Sequence, residues 1–185
     1  CLIVYGLFRI GKKFRIPNWS ITLSIGLWIA YNQSLISNEY MLGGFEAKSL
    51  SYAFLLLSLN EFCEKNWLLA ALYLGLCFNF HPPIGGYSAI AIGGSLLLCK
   101  QSSKEIGKTV IVTFIVSLPT LYFLSLYFIN NNPTNIEDLE FLVTVRMPHH
   151  LDPYSWKIHD IFATFLLTLF CLFYSNIVRS AQTPP

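Results

Sequence analysis

Charge is what this sequence has least of. Only 12% of its 185 residues are Asp, Glu, Lys or Arg, against roughly a quarter in an ordinary soluble domain, while 54% are hydrophobic. A composition of that kind excludes an ordinary soluble globule and fits a chain whose solvent is largely the bilayer. The five cysteines (Cys1, Cys63, Cys77, Cys99 and Cys171) have no CxxC or related spacing. That argues against a zinc knuckle or a redox dithiol, and the cysteines read as small buried hydrophobes. There is no glycine-rich nucleotide-phosphate loop, no nucleic-acid-binding basic patch, no Ser or Cys nucleophile elbow, no internal repeat and no low-complexity tract. Initiator Met is also missing. The chain starts inside one apolar run and stops soon after another, so it is expected to be a piece of a larger protein.

What is present is a succession of apolar runs. They cover residues 1–8, 18–37, 47–60, 67–80, 84–99, 109–129 and 158–178. The expected fold is therefore all-α, a polytopic transmembrane bundle of about six spans plus the end of a preceding one, forming a single domain over residues 1–185. Residues 130–157 form its longest outer loop. Three runs are short: at 1.5 Å per residue, residues 67–80 reach about 21 Å against a hydrocarbon core of about 30 Å. Either their inner ends continue as helix into polar residues, or their outer ends lie below the membrane surface. Pro119 falls mid-span and is expected to kink its helix unless a neighbour satisfies the freed carbonyl.

The distribution of Lys and Arg gives the spans a direction. If the link at residues 9–17 faces the cytoplasm and the spans alternate, nine of the twelve cations lie inside, and only Lys48, Arg146 and Lys157 lie outside. The positive-inside rule selects that orientation, in a membrane expected to be the bacterial plasma membrane. Asn60, Glu61, Glu64 and Lys65 then form a short inner turn, expected to be only solvated. "NIEDLEFL" is expected to start a surface helix with acids in its first turn.

Three outer connections hold most of the unusual polar residues. In "GGFEAKS", two glycines precede a helix carrying Glu46 and Lys48 in its first turn, where free N–H groups favour anions. The carboxylate would equally complement the helix dipole, with the lysine snorkelling. In "FHPPIGG", Pro82 ends the preceding helix at His81, which is either a helix cap or an ionisable group facing a cavity. The third, "RMPHHLDPYSW", is rigid and cationic: Arg146 can grip a phosphate, His149 and His150 can donate hydrogen bonds or move protons, and Asp152 can orient them. This loop could instead lie on the headgroups, anchored by Tyr154 and Trp156. No cofactor is required, although His149, His150 and Asp152, with His81 or His159, are acceptable ligands for a divalent metal such as Zn²⁺. Against that, no HxxxH or HxH spacing is present.

Together, "GGFEAKSLSYAFLLLSL", "WLLAALYLGLCFNFHPPIGG" and "RMPHHLDPYSW" resemble a group of bacterial multi-spanning proteins that are in turn similar to GT-C-type integral-membrane glycosyltransferases. The resemblance implies an outward-facing cavity in which a sugar passes from a polyprenyl-phosphate donor to an acceptor. Glu46, at the cavity wall, and Asp152 are then the candidate catalytic carboxylates. Lys48, His81 and Arg146 become donor-phosphate contacts, while His149 and His150 belong to a loop motif without an assigned role. The GT-C signature acid normally lies in a first outer loop that this stretch lacks, so the stretch alone is expected to be inactive.

The competing classes are a transporter or channel-like protein and a non-catalytic membrane assembly partner. A transport path would carry polarity through to the inner side, whereas the middles of these apolar runs contain no Asp, Glu, Lys, Arg or His. Oligomeric state, sugar and acceptor leave no signature. The expected partners are the lipid bilayer and the lipid-linked donor, with no nucleic acid.

Overall fold

The computed structural model describes residues 2–30, 46–130 and 136–141, together with 157, 158, 161–163, 165, 166 and 169. Every described element is an α-helix, and no strand occurs among the described residues. In order these are α1 (Leu2–Lys13), α2 (Asn18–Ala30), α3 (Ala47–Cys63), α4 (Trp67–Phe80), α5 (Pro82–Leu98), α6 (Ser103–Asn130) and α7 (Ile136–Phe141). Contacts divide the chain into two units, Cys1–Tyr31 with Met41–Asn131, and Asn32–Tyr40 with Asn132–Pro185. The second unit contributes the short α7, which carries the acids of "NIEDLEF", and helical positions between 158 and 169.

In the first unit, α4 packs against α3, α5 and α6, and α1 packs along α3. Hydroxyl-to-carbonyl bonds fix the directions. Ser51 Oγ donates to Cys77 O at 2.8 Å and Ser58 Oγ to Ala70 O at 2.8 Å, so α3 and α4 are antiparallel. Thr113 and Thr120 reach the Ala71 and Asn79 carbonyls at 3.3 and 3.4 Å, so α4 and α6 run in parallel. Two glycines permit the closest approaches. A Cβ at Gly75 would lie 2.6 Å from Val116 Cβ, and one at Gly85 would lie 2.3 Å from Phe78 Cα. Small residues and interhelical hydroxyl bonds of this sort are what hold helices together where lipid supplies no hydrophobic drive. Leu74, Ile92 and Leu96 form a compact core cluster beside Phe62, Trp67 and Ile106.

The helix ends explain where the expected spans shift. Pro82 and Pro83 occupy the first two positions of α5, where a missing N–H costs little, so α4 ends at Phe80 as expected. Helix α6 begins six residues before the apolar run because Ser102 Oγ accepts the Glu105 N–H at 3.3 Å, capping a polar first turn. It continues through Pro119, and Asn79 Nδ2 donates to the neighbouring Val116 carbonyl at 2.7 Å. Helix α3 extends into polar residues at its C-terminal end as far as Cys63, whereas α4 keeps only 14 residues. Of the described helices, α6 alone is long and apolar enough to cross a membrane, with just 11% of its most apolar stretch buried. Helices α4 and α5 are apolar but shorter.

Three helices end in the same way. Ile16 N–H bonds to Gly11 O at 3.1 Å, Asn66 N–H to Glu61 O at 2.9 Å and Gln101 N–H to Leu96 O at 3.1 Å, closing α1, α3 and α5 with Schellman turns. The left-handed residue in each is Arg15 (φ 58°), Lys65 (φ 60°) or Lys100 (φ 51°), at a position that usually holds glycine. The expectation for the cysteines is corrected in part. Cys77 is buried, but Cys63 and Cys99 are exposed because they stand at the ends of α3 and α5, outside the packed middle.

Candidate functional site

The bond between Ser51 and Cys77 sets the heights of the predicted polar residues. Lys48 lies one turn before Ser51 and His81 one turn after Cys77, so both belong to the same end of the α3–α4 pair. Phe54 stacks on Phe80 at a 5.5 Å centroid distance just inside that end. Glu46 is the N-cap residue of α3 with extended backbone, but its side chain does not cap the helix. Instead its Oε2 pairs with Lys48 Nζ at 3.1 Å, with the lysine side chain largely covered and the carboxylate more than half exposed.

His81 is a hinge of two helices. Its backbone is extended (φ −153°, ψ 95°), as a residue before proline requires. Its N–H caps α4 through Cys77 O at 3.1 Å, and its Nδ1 accepts the Ile84 N–H of α5 at 3.3 Å. An Nδ1 that accepts a hydrogen bond carries no proton, so in this arrangement the ring is neutral and Nε2–H is its donor. The cap role of His81 ties the ring's orientation to the α4–α5 reversal. Arg146, His149, His150 and Asp152 lie outside the described residues. Among the described residues no group of three His, Cys, Asp or Glu side chains could hold a metal ion.

The opposite end holds an ion-paired knot that sequence reasoning assigned to solvent. Asn60 is fully buried and Glu61 is 7% exposed. Arg9 Nη1 reaches Glu61 Oε1 at 3.1 Å, and Nη2 reaches Glu64 Oε1 at 3.4 Å. Lys13 Nζ lies 2.6 Å from both Glu64 Oε1 and the Asn60 carbonyl. Asn60 Nδ2 donates to Gly6 O and Leu56 O, and Asn66 Nδ2 to Glu61 Oε2. The hydrogen bond and charge of Lys13, followed by the charge of Arg9, hold the Glu64 carboxylate below its ordinary pKa. This arrangement locks α1 to the α3–α4 turn, and its charged groups are paired with one another, while the buried Asn60 Oδ1 has no hydrogen-bond partner among the described residues. The signal was in the sequence: Arg9 and Lys13 are four apart, Glu61 and Glu64 three apart, so each pair shares a helix face.

Two apolar grooves flank the bundle. The larger, about 520 Å³, lies between α1, α2 and α3, lined by Leu7, Ile21, Trp28 and Leu56 among others. The smaller, about 270 Å³, lies between α4, α5 and α6. Neither is lined by Glu46, Lys48 or His81, so the polar end and the grooves are separate features. Comparison with known protein families, curated proteins and solved structures gave no match.

Proposed function

We propose that the chain is the polytopic helical core of a bacterial plasma-membrane protein related to GT-C glycosyltransferases, using a polyprenyl-phosphate-linked sugar at an outward-facing cavity. The observation that carries this reading is the separation of roles between the two ends of the bundle. Glu46, Lys48 and His81 collect at one end of α3–α4–α5, while the other end carries the cation-rich turns and a knot in which Glu61 and Glu64 are paired with Arg9 and Lys13. Between them, α4 and α5 contain no ionisable Asp, Glu, Lys, Arg or His, which favours a one-sided cavity over a transport path.

In this reading a donor phosphate competes with Glu46 for the Lys48 ammonium. Binding would release the carboxylate to accept a proton from the acceptor hydroxyl, with His81 and Arg146 as further donor-phosphate contacts.

The test uses the full-length protein in bilayer discs and a labelled polyprenyl-phosphate sugar. His81→Asn keeps an oxygen acceptor for the Ile84 N–H and removes the imidazole, so it separates the cap from the site. Lys48→Met, His81→Asn and Arg146→Ala are each expected to weaken donor binding about tenfold without loss of fold. Unchanged donor binding in all three overturns the proposal, and solute flux without sugar transfer would replace it with a transporter.

A further inference from the structure

The charge at the inner end is not balanced within the fold. Glu61 and Glu64 are taken up by Arg9 and Lys13, and Glu105 faces Lys108 at 3.9 Å. Among the described residues at this end, Lys12, Arg15, Lys65, Lys100 and Lys104 have no carboxylate partner; Lys12 bonds to Asn18 Oδ1 at 3.0 Å, and Arg15, Lys65 and Lys100 occupy the left-handed position of a Schellman turn. Three turns that would be less strained with glycine carry a cation instead, all at one edge of the same unit.

What surrounds these cations is apolar and exposed. Phe14 (70% exposed) and Trp19 (71%) bracket Arg15, Leu68 (63%) follows Lys65, and Leu98 (85%) precedes Lys100. Bulk water suits the ammonium and guanidinium groups but not these neighbours, and a hydrocarbon layer the reverse. The boundary between acyl chains and anionic headgroups satisfies both.

We propose that this edge is a docking surface for the anionic phospholipid headgroups of the adjoining leaflet, with Arg15, Lys65 and Lys100 as the phosphate contacts. The inference rests on the membrane reading above and adds to it a specific lipid class and specific residues. Three separate turns place the cations along the rim, each fixed by its backbone, while Phe14 and Trp19 sink beside them into the acyl layer.

Glycine is the decisive substitution, because it removes the charge while fitting the left-handed backbone better than the residue it replaces. Full-length protein, wild type or R15G/K65G/K100G, is exchanged in detergent with an equal mixture of phosphatidylglycerol and phosphatidylcholine, and the retained lipids are counted by mass spectrometry. The wild type is expected to retain phosphatidylglycerol preferentially, with the preference falling as salt rises. The triple variant is expected to lose about fivefold or more of that preference while its thermal midpoint holds or rises. The triple asparagine variant, also tolerated at these φ values, should behave alike. An unchanged preference in both variants overturns the inference and leaves the cations as helix caps. A wild type that holds both lipids equally overturns it too, with the membrane reading intact; one that stays dispersed without detergent and retains neither lipid overturns both.

Discussion

Arg9 and Glu61 are 52 residues apart in the chain, and their side chains meet at 3.1 Å. The contact joins α1 to the C-terminal end of α3 and covers a carboxylate that would otherwise be buried without a cation. Arg9→Met strands that carboxylate with only the Asn66 amide, and is expected to cost about 1–2 kcal/mol. The double variant R9M/E61M should recover most of the loss, read as thermal midpoints in detergent. Equal midpoints for wild type and R9M would show that the pair contributes nothing.

Glu64 gives the fold an acid-sensitive element. Lys13 and Arg9 lower its pKa in the folded chain below the unfolded value of about 4.3. The stabilisation is then fully present above that value and disappears as pH falls through the lower folded value. Thermal midpoints are expected to drop below about pH 4, with a shallower drop in Glu64→Gln. Identical acid limbs would argue against the assignment.

Asn79 ties α4 to α6 one turn before Pro119. Asn79→Ala removes the donor to Val116 O and is expected to destabilise by about 1–2 kcal/mol. In a Pro119→Ala background the restored N–H goes to the Ile115 carbonyl four residues earlier, not to Val116 O, so the same change should cost about as much as in the wild type. Clearly non-additive costs in the double variant would couple the two features.

Two glycines of α5 make opposite forecasts. An added Cβ at Gly85 meets the Phe78 backbone at 2.3 Å, so Gly85→Ala is expected to cost at least about 2 kcal/mol. At Gly94 nothing lies within 4 Å, and alanine should stabilise by about 0.5–1 kcal/mol. Melting of the two single variants gives the comparison directly.

Exposed Cys63 and Cys99 report sidedness. Both stand at the cation-rich end, so a membrane-impermeant maleimide is expected to label them in inverted vesicles and spare them in intact spheroplasts. Labelling of both from the outside would reverse the orientation.

Much of the helical framework was legible because its punctuation is local. Trp67 to Phe80 is an unbroken apolar run and Pro82 stops it, so α4 has the bounds its residues dictate. The start of α6 was misplaced since hydropathy is blind to a capping serine, and Ser102 makes a polar turn helical. Glu61 was read as solvated because the partner that buries it is remote in sequence, and a carboxylate at the end of an apolar run looks alike whether or not a cation awaits it. Of the candidate site, the Glu46–Lys48 pairing does not follow from a spacing of two and arises because Glu46 is the extended N-cap residue, outside the helix that carries Lys48, whereas the place of His81 follows from the proline after it. Its role as an acceptor for α5 depends on a ring orientation that no residue pattern encodes. The loop from Arg146 to Trp156 lies outside the described residues, so its place beside His81 is a proposal of function.

The brevity of α4 has a consequence for how such a chain is made. At 14 residues it is about 21 Å long, too short for a bilayer to retain on its own. What keeps it in place is the company of α3, α5 and α6, through Ser51, Ser58, Thr113 and Thr120 bonded to its backbone or beside it. Because α6 follows α3, α4 and α5 in the chain, the flank of α4 that bonds to Thr113 and Thr120 stays uncovered until α6 has been made and has packed.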